Sequence, residues 1–243
     1  MQEIIGNIEQ IQKRINNACE KCNRNPKDIK LLLATKTVSP ERIKTAIQNG
    51  AILIAENKIQ ELKEKHEYLK DIPHINHFIG HLQSNKIKDI LKYDVVCLQS
   101  LDRIELAEKL HQRLTAAQKT IDVLVQVNTS SEESKFGVTP ENTIRLVQQV
   151  AQFDTIKIKG LMTIGVFSSE LDKVRKCFRI LKNLQQEISK IQIPNVEMNE
   201  LSMGMSGDLE IAIEEGATII RVGTAVFGKR IYPDSYYWDE TSA

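Results

Sequence analysis

Eight short apolar runs, each followed by a stretch with helical spacing, constrain this chain more than any single residue does. The runs cover 29–36, 51–54, 77–79, 94–98, 121–127, 156–161, 196–201 and 217–222. Runs with no polar face suit strands buried on both sides, the habit of parallel sheets covered by helices. Between them, residues such as Leu171, Val174, Phe178, Leu181 and Ile188 recur on one helical face. Ser39-Pro40 and Thr139-Pro140 read as helix starts, Asp102 and Glu105 as a capping box, a further helix runs from Ser206 to about Glu215, and Gly50 and Gly216 act as stops. Eight strand–helix units in 243 residues point to an α/β fold, a single (β/α)8 TIM barrel. A doubly wound sheet is the alternative, but no G-x-G-x-x-G follows the first strand. Ile4, Ile8, Ile11, Ile15, Ala18 and Cys22 add an amphipathic N-terminal helix over about 1–23. No Pro/Ser-rich linker divides the chain, so 1–243 reads as one domain, with an aromatic then polar tail over about 231–243.

Composition removes several function classes. A net charge of +1 supplies no field for nucleic acid or an anionic membrane, and basic residues are scattered over helix faces. The longest apolar runs are too short to span a membrane, and the N-terminus lacks a basic region followed by an apolar core, so the chain reads as cytoplasmic. Cys19 and Cys22 form a C-x-x-C on a helical segment with no second ligand pair, which reads as buried thiols and not as a metal site. His74, His77 and His81 fall close together, but no cysteine or carboxylate cluster joins them. H-E-x-x-H, Walker and G-x-S-x-G sequences are absent.

In barrels the chemistry collects where strands end. The residues following the strands here are Lys36; Asn57; Gly80 and His81; Ser100; Asn128; Met162 and Thr163; the segment 202–206; and Gly223-Thr224. An amine at the rim of a core loses hydration, which disfavours the ammonium form and leaves a better nucleophile. The small-residue turns Ser202-Met203-Gly204-Met205-Ser206-Gly207 and Arg221-Val222-Gly223-Thr224 open the last two helices, and glycine amides, hydroxyls and helix starts together form a cup for a phosphate monoester. Two ordinary capped helices would look the same, and Asp208 and Glu210 would repel an anion if they faced it. An amine, an anion cup and an arginine between them point to pyridoxal 5'-phosphate, with Arg221 toward the pyridine nitrogen. Lys135, in the polar loop after the fifth strand, is a rival amine, expected to stay hydrated and protonated.

Several stretches match a known family in order. They are Ala34-Thr35-Lys36-Thr37, Glu56-Asn57-Lys58-Ile59-Gln60-Glu61, His77-Phe78-Ile79-Gly80-His81-Leu82-Gln83, Val127-Asn128-Thr129-Ser130, Lys135-Phe136-Gly137, Gly160-Leu161-Met162-Thr163-Ile164, Leu201-Ser202-Met203-Gly204-Met205-Ser206 and Arg221-Val222-Gly223-Thr224. Through them the chain resembles the YggS/PROSC family of pyridoxal phosphate homeostasis proteins, similar to the barrel of alanine racemase and of fold type III. The resemblance implies that Lys36 carries the cofactor as a Schiff base. It places Ser206, Gly207, Gly223 and Thr224 on the phosphate, Arg221 on the ring nitrogen, and Asn57, His81 and Met162 along the pocket. Ala55 and Thr35 depart from the usual glycine and serine. An arginine at the ring nitrogen keeps it unprotonated and weakens the electron sink, and the chain ends about twenty residues after its eighth strand, where racemases continue into a second domain. The expectation is therefore a monomeric, non-catalytic protein that holds pyridoxal phosphate and delivers it to dependent apoenzymes or regulatory partners. A slow amino-acid racemase is the alternative.

Overall fold

The computed structural model describes residues 1–132 and 134–228. Eight parallel strands close into a barrel in sequence order: β1 (Lys30–Ala34), β2 (Leu53–Glu56), β3 (Ile75–Phe78), β4 (Val95–Leu101), β5 (Ile121–Gln126), β6 (Ile156–Met162), β7 (Val196–Ser202) and β8 (Ile219–Val222). Around them run α2 (Pro40–Gln48), α3 (Ile59–Leu69), α4 (Ile87–Lys92), α5 (Ile104–Ala117), α6 (Pro140–Val150), α7 (Leu171–Ile191), α8 (Leu209–Glu214) and α9 (Thr224–Phe227). Outside this repeat, α1 (Gln2–Lys21) buries Ile4, Ile11, Ile15, Ala18 and Cys19 and packs against α2, α8 and α9.

Strand alternation divides the apolar residues between two cores. Leu33, Ile54, Val123, Val125, Ile220 and Val222 face outward into the layer beneath the helices. Leu32, Leu53, Ala55, Cys97, Leu124, Met162 and Ile219 face inward and fill the barrel. The seam between β7 and β8 is the thinnest, with one register pair, Ser202 to Ile219. It is reinforced by Thr218, whose amide donates to Leu201 O (2.9 Å) and whose hydroxyl both accepts from Leu201 N (2.9 Å) and lies 2.6 Å from Glu200 Oε2.

Several expected boundaries move. Lys36 lies beyond β1, in the turn leading to α2. The capping box does not form: Arg103 is the N-cap of α5, and Asp102 Oδ1 accepts from the Arg103 guanidinium (2.5 Å). The helix expected from Ser206 starts at Leu209, because Asp208 Oδ1 accepts from Met205 N (2.5 Å) and holds 205–208 as a turn. Gly204 enters that turn at φ +90°, where a Cβ would lie 2.4 Å from Ala212 Cβ. The tail at 231–243, with Tyr236, Tyr237 and Trp238, lies outside the described residues.

Gly204→Ala is expected to destabilise the fold by about 2 kcal/mol or more, from the left-handed backbone and the contact with Ala212 together. A urea midpoint unchanged from the parent would contradict this.

Candidate functional site

A cavity of about 430 Å³ opens at the C-terminal ends of the strands. Its lining follows from strand parity. Leu32 faces inward, and two and four residues on, Ala34 and Lys36 reach the cavity. In the same way Leu53 and Ala55 lead to Asn57, and Ile219 leads to Arg221 and Gly223. Met162 and Ile164 lie at the end of β6, and Ile79 follows β3. On the opposite side from Lys36 in the sequence, the turns after β7 and β8 contribute Ser206, Gly207, Gly223 and Thr224.

Arg221 is 5% exposed, so its charge needs internal partners. Its Nη1 donates to Ser202 Oγ (2.8 Å) and its Nη2 to Thr163 O (2.7 Å). A guanidinium only donates, so Ser202 accepts from it and passes its own hydrogen to Gln99 Oε1 (2.6 Å). The Gln99 amide nitrogen then donates to His77 Nδ1 (2.7 Å), which places the proton of a neutral His77 on Nε2. Burial holds His77 down to about 4 and Arg221 down to about 10, the latter opposed by Asp208. At neutral pH the imidazole is uncharged and the guanidinium is charged.

In the cup, the Ser206 and Thr224 hydroxyls lie 3.5 Å apart, and a Cβ on Gly207 would meet no protein atom within 4 Å. The two carboxylates that could oppose an anion are both engaged. Glu210 is held by Arg14 of α1 through a pair of bonds (2.7 and 2.8 Å), which keeps its carboxyl below the usual range. Asp208 lines the cavity, bonded to the Met205 amide, and burial raises its carboxyl. Arg14 also donates to Ser206 O (3.0 Å), tying the cup to the N-terminal helix.

Eight of the nine residues expected at the site line this one cavity: Lys36, Asn57, Met162, Ser206, Gly207, Arg221, Gly223 and Thr224. His81 is the exception. Its ring stacks on Phe136 at 4.0 Å, its Nδ1 sits 3.6 Å from Asp102 Oδ2, and it is not part of the lining. The chain departs outward after Ile79, through Gly80, where a Cβ would lie 1.8 Å from Asn57 O. Lys135, expected to be hydrated, also lines the cavity, and its ammonium donates to Glu132 (2.7 Å) and Gly165 O (2.9 Å). The outer wall, from Val166, Phe167, Leu171 and Val174, carries no motif, and only the tertiary packing brings it to the site. Ser202 and Thr163 could be found as strand-end polar residues, and Gln99 and His77 by counting inward positions.

The donor set suits a flat ring bearing an anion and an electrophile. The Lys36 amine, the Arg221 guanidinium, the hydroxyl and glycine turns after β7 and β8, and the apolar Ile79, Met162 and Ile164 line one cavity, with the Gly223 turn beside the end of β1 that leads to Lys36, because β8 pairs with β1. Asn57 Oδ1 is buried with no hydrogen-bond partner among the described residues, an acceptor available to a ligand donor. No group of three His, Cys, Asp or Glu side chains suited to a metal occurs among the described residues, and no described helix is long and apolar enough to cross a membrane.

Comparison with known proteins bears on the family and the fold. The family described as "Alanine racemase, N-terminal domain" matches residues 4–231. A curated protein of Aquifex aeolicus named "Pyridoxal phosphate homeostasis protein" is 43% identical over 225 residues, covering 93% of this chain and 97% of that one. PipY of Synechococcus elongatus, solved with PLP bound, superposes with a TM-score of 0.80 at 27% identity, covering 93% of this chain and all of that one. Alanine racemase of Clostridium difficile shares the fold, with a TM-score of 0.77 at 14% identity, over 96% of this chain and 58% of that one.

The neutral, partly buried His77 makes a pH prediction. Below about pH 6.5 the unfolded chain binds a proton at this residue that the folded barrel refuses until about pH 4. Stability from this residue is therefore full above 6.5 and falls as the pH drops through that window, by up to about 3 kcal/mol. Urea denaturation at pH 4.5 and 7 should show a smaller acid loss in His77→Gln than in the parent, and equal losses would refute the assignment.

Proposed function

The chain belongs to the alanine racemase N-terminal domain family and, within it, to the pyridoxal phosphate homeostasis proteins, and from that premise we propose that it binds pyridoxal 5'-phosphate at the barrel mouth to hold and deliver it. The observation that carries this is the convergence of Lys36, Arg221 and the Ser206/Thr224 cup on one cavity. When bound, pyridoxal phosphate supplies an aldehyde, a basic ring nitrogen and a phosphate. Lys36 is the amine that would hold the aldehyde covalently. Ser206 and Thr224 would donate hydroxyl hydrogens to the phosphate, with open space beside Gly207 and with Gly223 lining the same cavity. Arg221 would donate to the ring nitrogen.

Arg221 also supports holding over turnover. Because it only donates, it gives the ring nitrogen no reason to take up a proton, and an unprotonated ring is a poor sink for electrons. Its orientation is locked by Ser202 and Thr163, so it does not yield the position to an acid. Ile79, Met162 and Ile164 would give the ring apolar surface to rest on. One observation favours slow amino-acid racemisation as the second reading: Lys135 brings another amine to the same cavity. Its bonds to Glu132 and Gly165 O hold two of its three hydrogens and fix where its amine points.

Adding pyridoxal phosphate is expected to produce a visible-range absorbance that Lys36→Ala abolishes. Borohydride reduction followed by tryptic mapping should place the label on Lys36, and a label on Lys135 would reverse the assignment. Steady-state assays with free alanine and serine separate the two readings. Turnover of about 1 s⁻¹ or faster would establish an enzyme and overturn the carrier reading.

A further inference from the structure

Behind the Lys36 turn lies a buried ionic cluster that the site description does not use. Lys65 falls on the core face of α3 with Leu62 and Leu69, where a leucine would complete the apolar stripe. It is 7% exposed, and its ammonium has three acceptors: Thr35 O (2.8 Å), Glu56 Oε1 (2.9 Å) and Glu61 Oε2 (2.6 Å). Three donors meeting three acceptors satisfy the ammonium completely. Glu56, at the end of β2, is 2% exposed and also accepts from the Thr35 hydroxyl (2.6 Å). Glu61 accepts from Thr37 N (2.5 Å).

The cluster thus grips the backbone on both sides of Lys36, the Thr35 carbonyl through Lys65 and the Thr37 amide through Glu61. Thr37 needs such a grip, because it sits at φ +64°, an unfavourable region for a β-branched residue. Stability does not explain a charged cluster here. A buried ion pair generally does no better than apolar side chains of the same volume, and one oxygen of Glu56 is buried with no hydrogen-bond partner among the described residues. Burial also pushes the Glu56 carboxyl up, to about 7, against the pull of Lys65.

We infer that Lys65, clamped between Glu56 and Glu61, is the positioning residue for Lys36: it sets the turn from which the Lys36 amine enters the cavity. The inference rests on the reading of Lys36 as the residue that holds pyridoxal phosphate. It assigns the cluster to covalent capture of the aldehyde, in which the Lys36 nitrogen replaces the aldehyde oxygen and that oxygen leaves as water, and not to the phosphate cup or Arg221, which come from β7 and β8. A misplacement of about 1 Å at a reacting group can cost about a hundredfold in rate.

The test compares two ligands on the full chain: pyridoxal phosphate, and pyridoxamine 5'-phosphate, which has the ring and phosphate but no aldehyde. Lys65→Met removes the clamp, and Glu56→Gln/Lys65→Met removes it while deleting one carboxylate as well, which guards against misfolding from excess buried negative charge. Both are expected to slow the appearance of the visible absorbance by about tenfold or more, with pyridoxamine phosphate affinity staying within about twofold of the parent, on the order of 0.4 kcal/mol. Capture at the parental rate in either variant overturns the inference. So does an equal loss of both ligands in both variants, which would make the cluster merely structural. Lys36→Ala is the control: absorbance that survives there defeats the underlying reading of Lys36, whereas absorbance lost there but unchanged without Lys65 defeats only the positioning role.

Discussion

Closing an eight-stranded sheet on itself leaves every second strand residue pointing at the barrel axis, where space is limited and water is scarce. The rest of this structure depends on that constraint. Small and medium apolar side chains, among them Leu32, Ala55, Leu124 and Ile219, fill the axis. The same parity, carried past the last apolar residue, delivers Lys36, Asn57, Arg221 and Gly223 to the cavity above them. A one-residue slip in any strand would send these groups into the helix layer. The site is therefore as well placed as the barrel is well packed.

Polar groups inside such a barrel must be paired, and the pairing gives them direction. Arg221 can only donate, and that fact propagates through Ser202 and Gln99 to the protonation of His77. The chain of bonds crosses the barrel interior and bridges β7 and β8 where their backbone pairing is thinnest. The guanidinium is consequently held in one orientation before any ligand arrives. On the outside of the cup, Arg14 does a related job: it draws Glu210 away from the cavity and secures the Ser206 carbonyl. An extra helix outside the barrel repeat thus neutralises a charge that would oppose an anion.

The proposed holding role draws on the lining of this cavity. Arg221 and Lys135 are held by protein acceptors, the Ser206 and Thr224 hydroxyls lie 3.5 Å apart in the cup, and Ile79, Met162 and Ile164 supply apolar surface. Preorganised donors of this kind bind an anion and orient a ring without reorganising. Strong acid–base turnover needs groups whose protons can come and go. Arg221 offers none, and two of the three hydrogens of Lys135 are held by Glu132 and Gly165 O.

The barrel was legible because strand and helix periods are local properties: eight apolar runs and the intervening helical spacing required no knowledge of contacts. Lys36, Arg221 and the two glycine turns were legible for a related reason, since their meaning depends on position at a strand end. Other features were not. Asp102 looked like the start of a capping box, but it faces Arg103 and His81, and His81 itself turns away from the cavity to stack on Phe136. Nothing in the sequence marks Lys65, and only the packing of α3 against the ends of β1 and β2 makes it a buried clamp. By itself the sequence determined the fold and the chemical kinds of residue at the barrel mouth, because periodicity and residue type are written along one dimension. Tertiary structure alone decided which of those groups are buried, which partner each one meets and which way its hydrogens point, because those depend on distances between segments that the chain order does not contain.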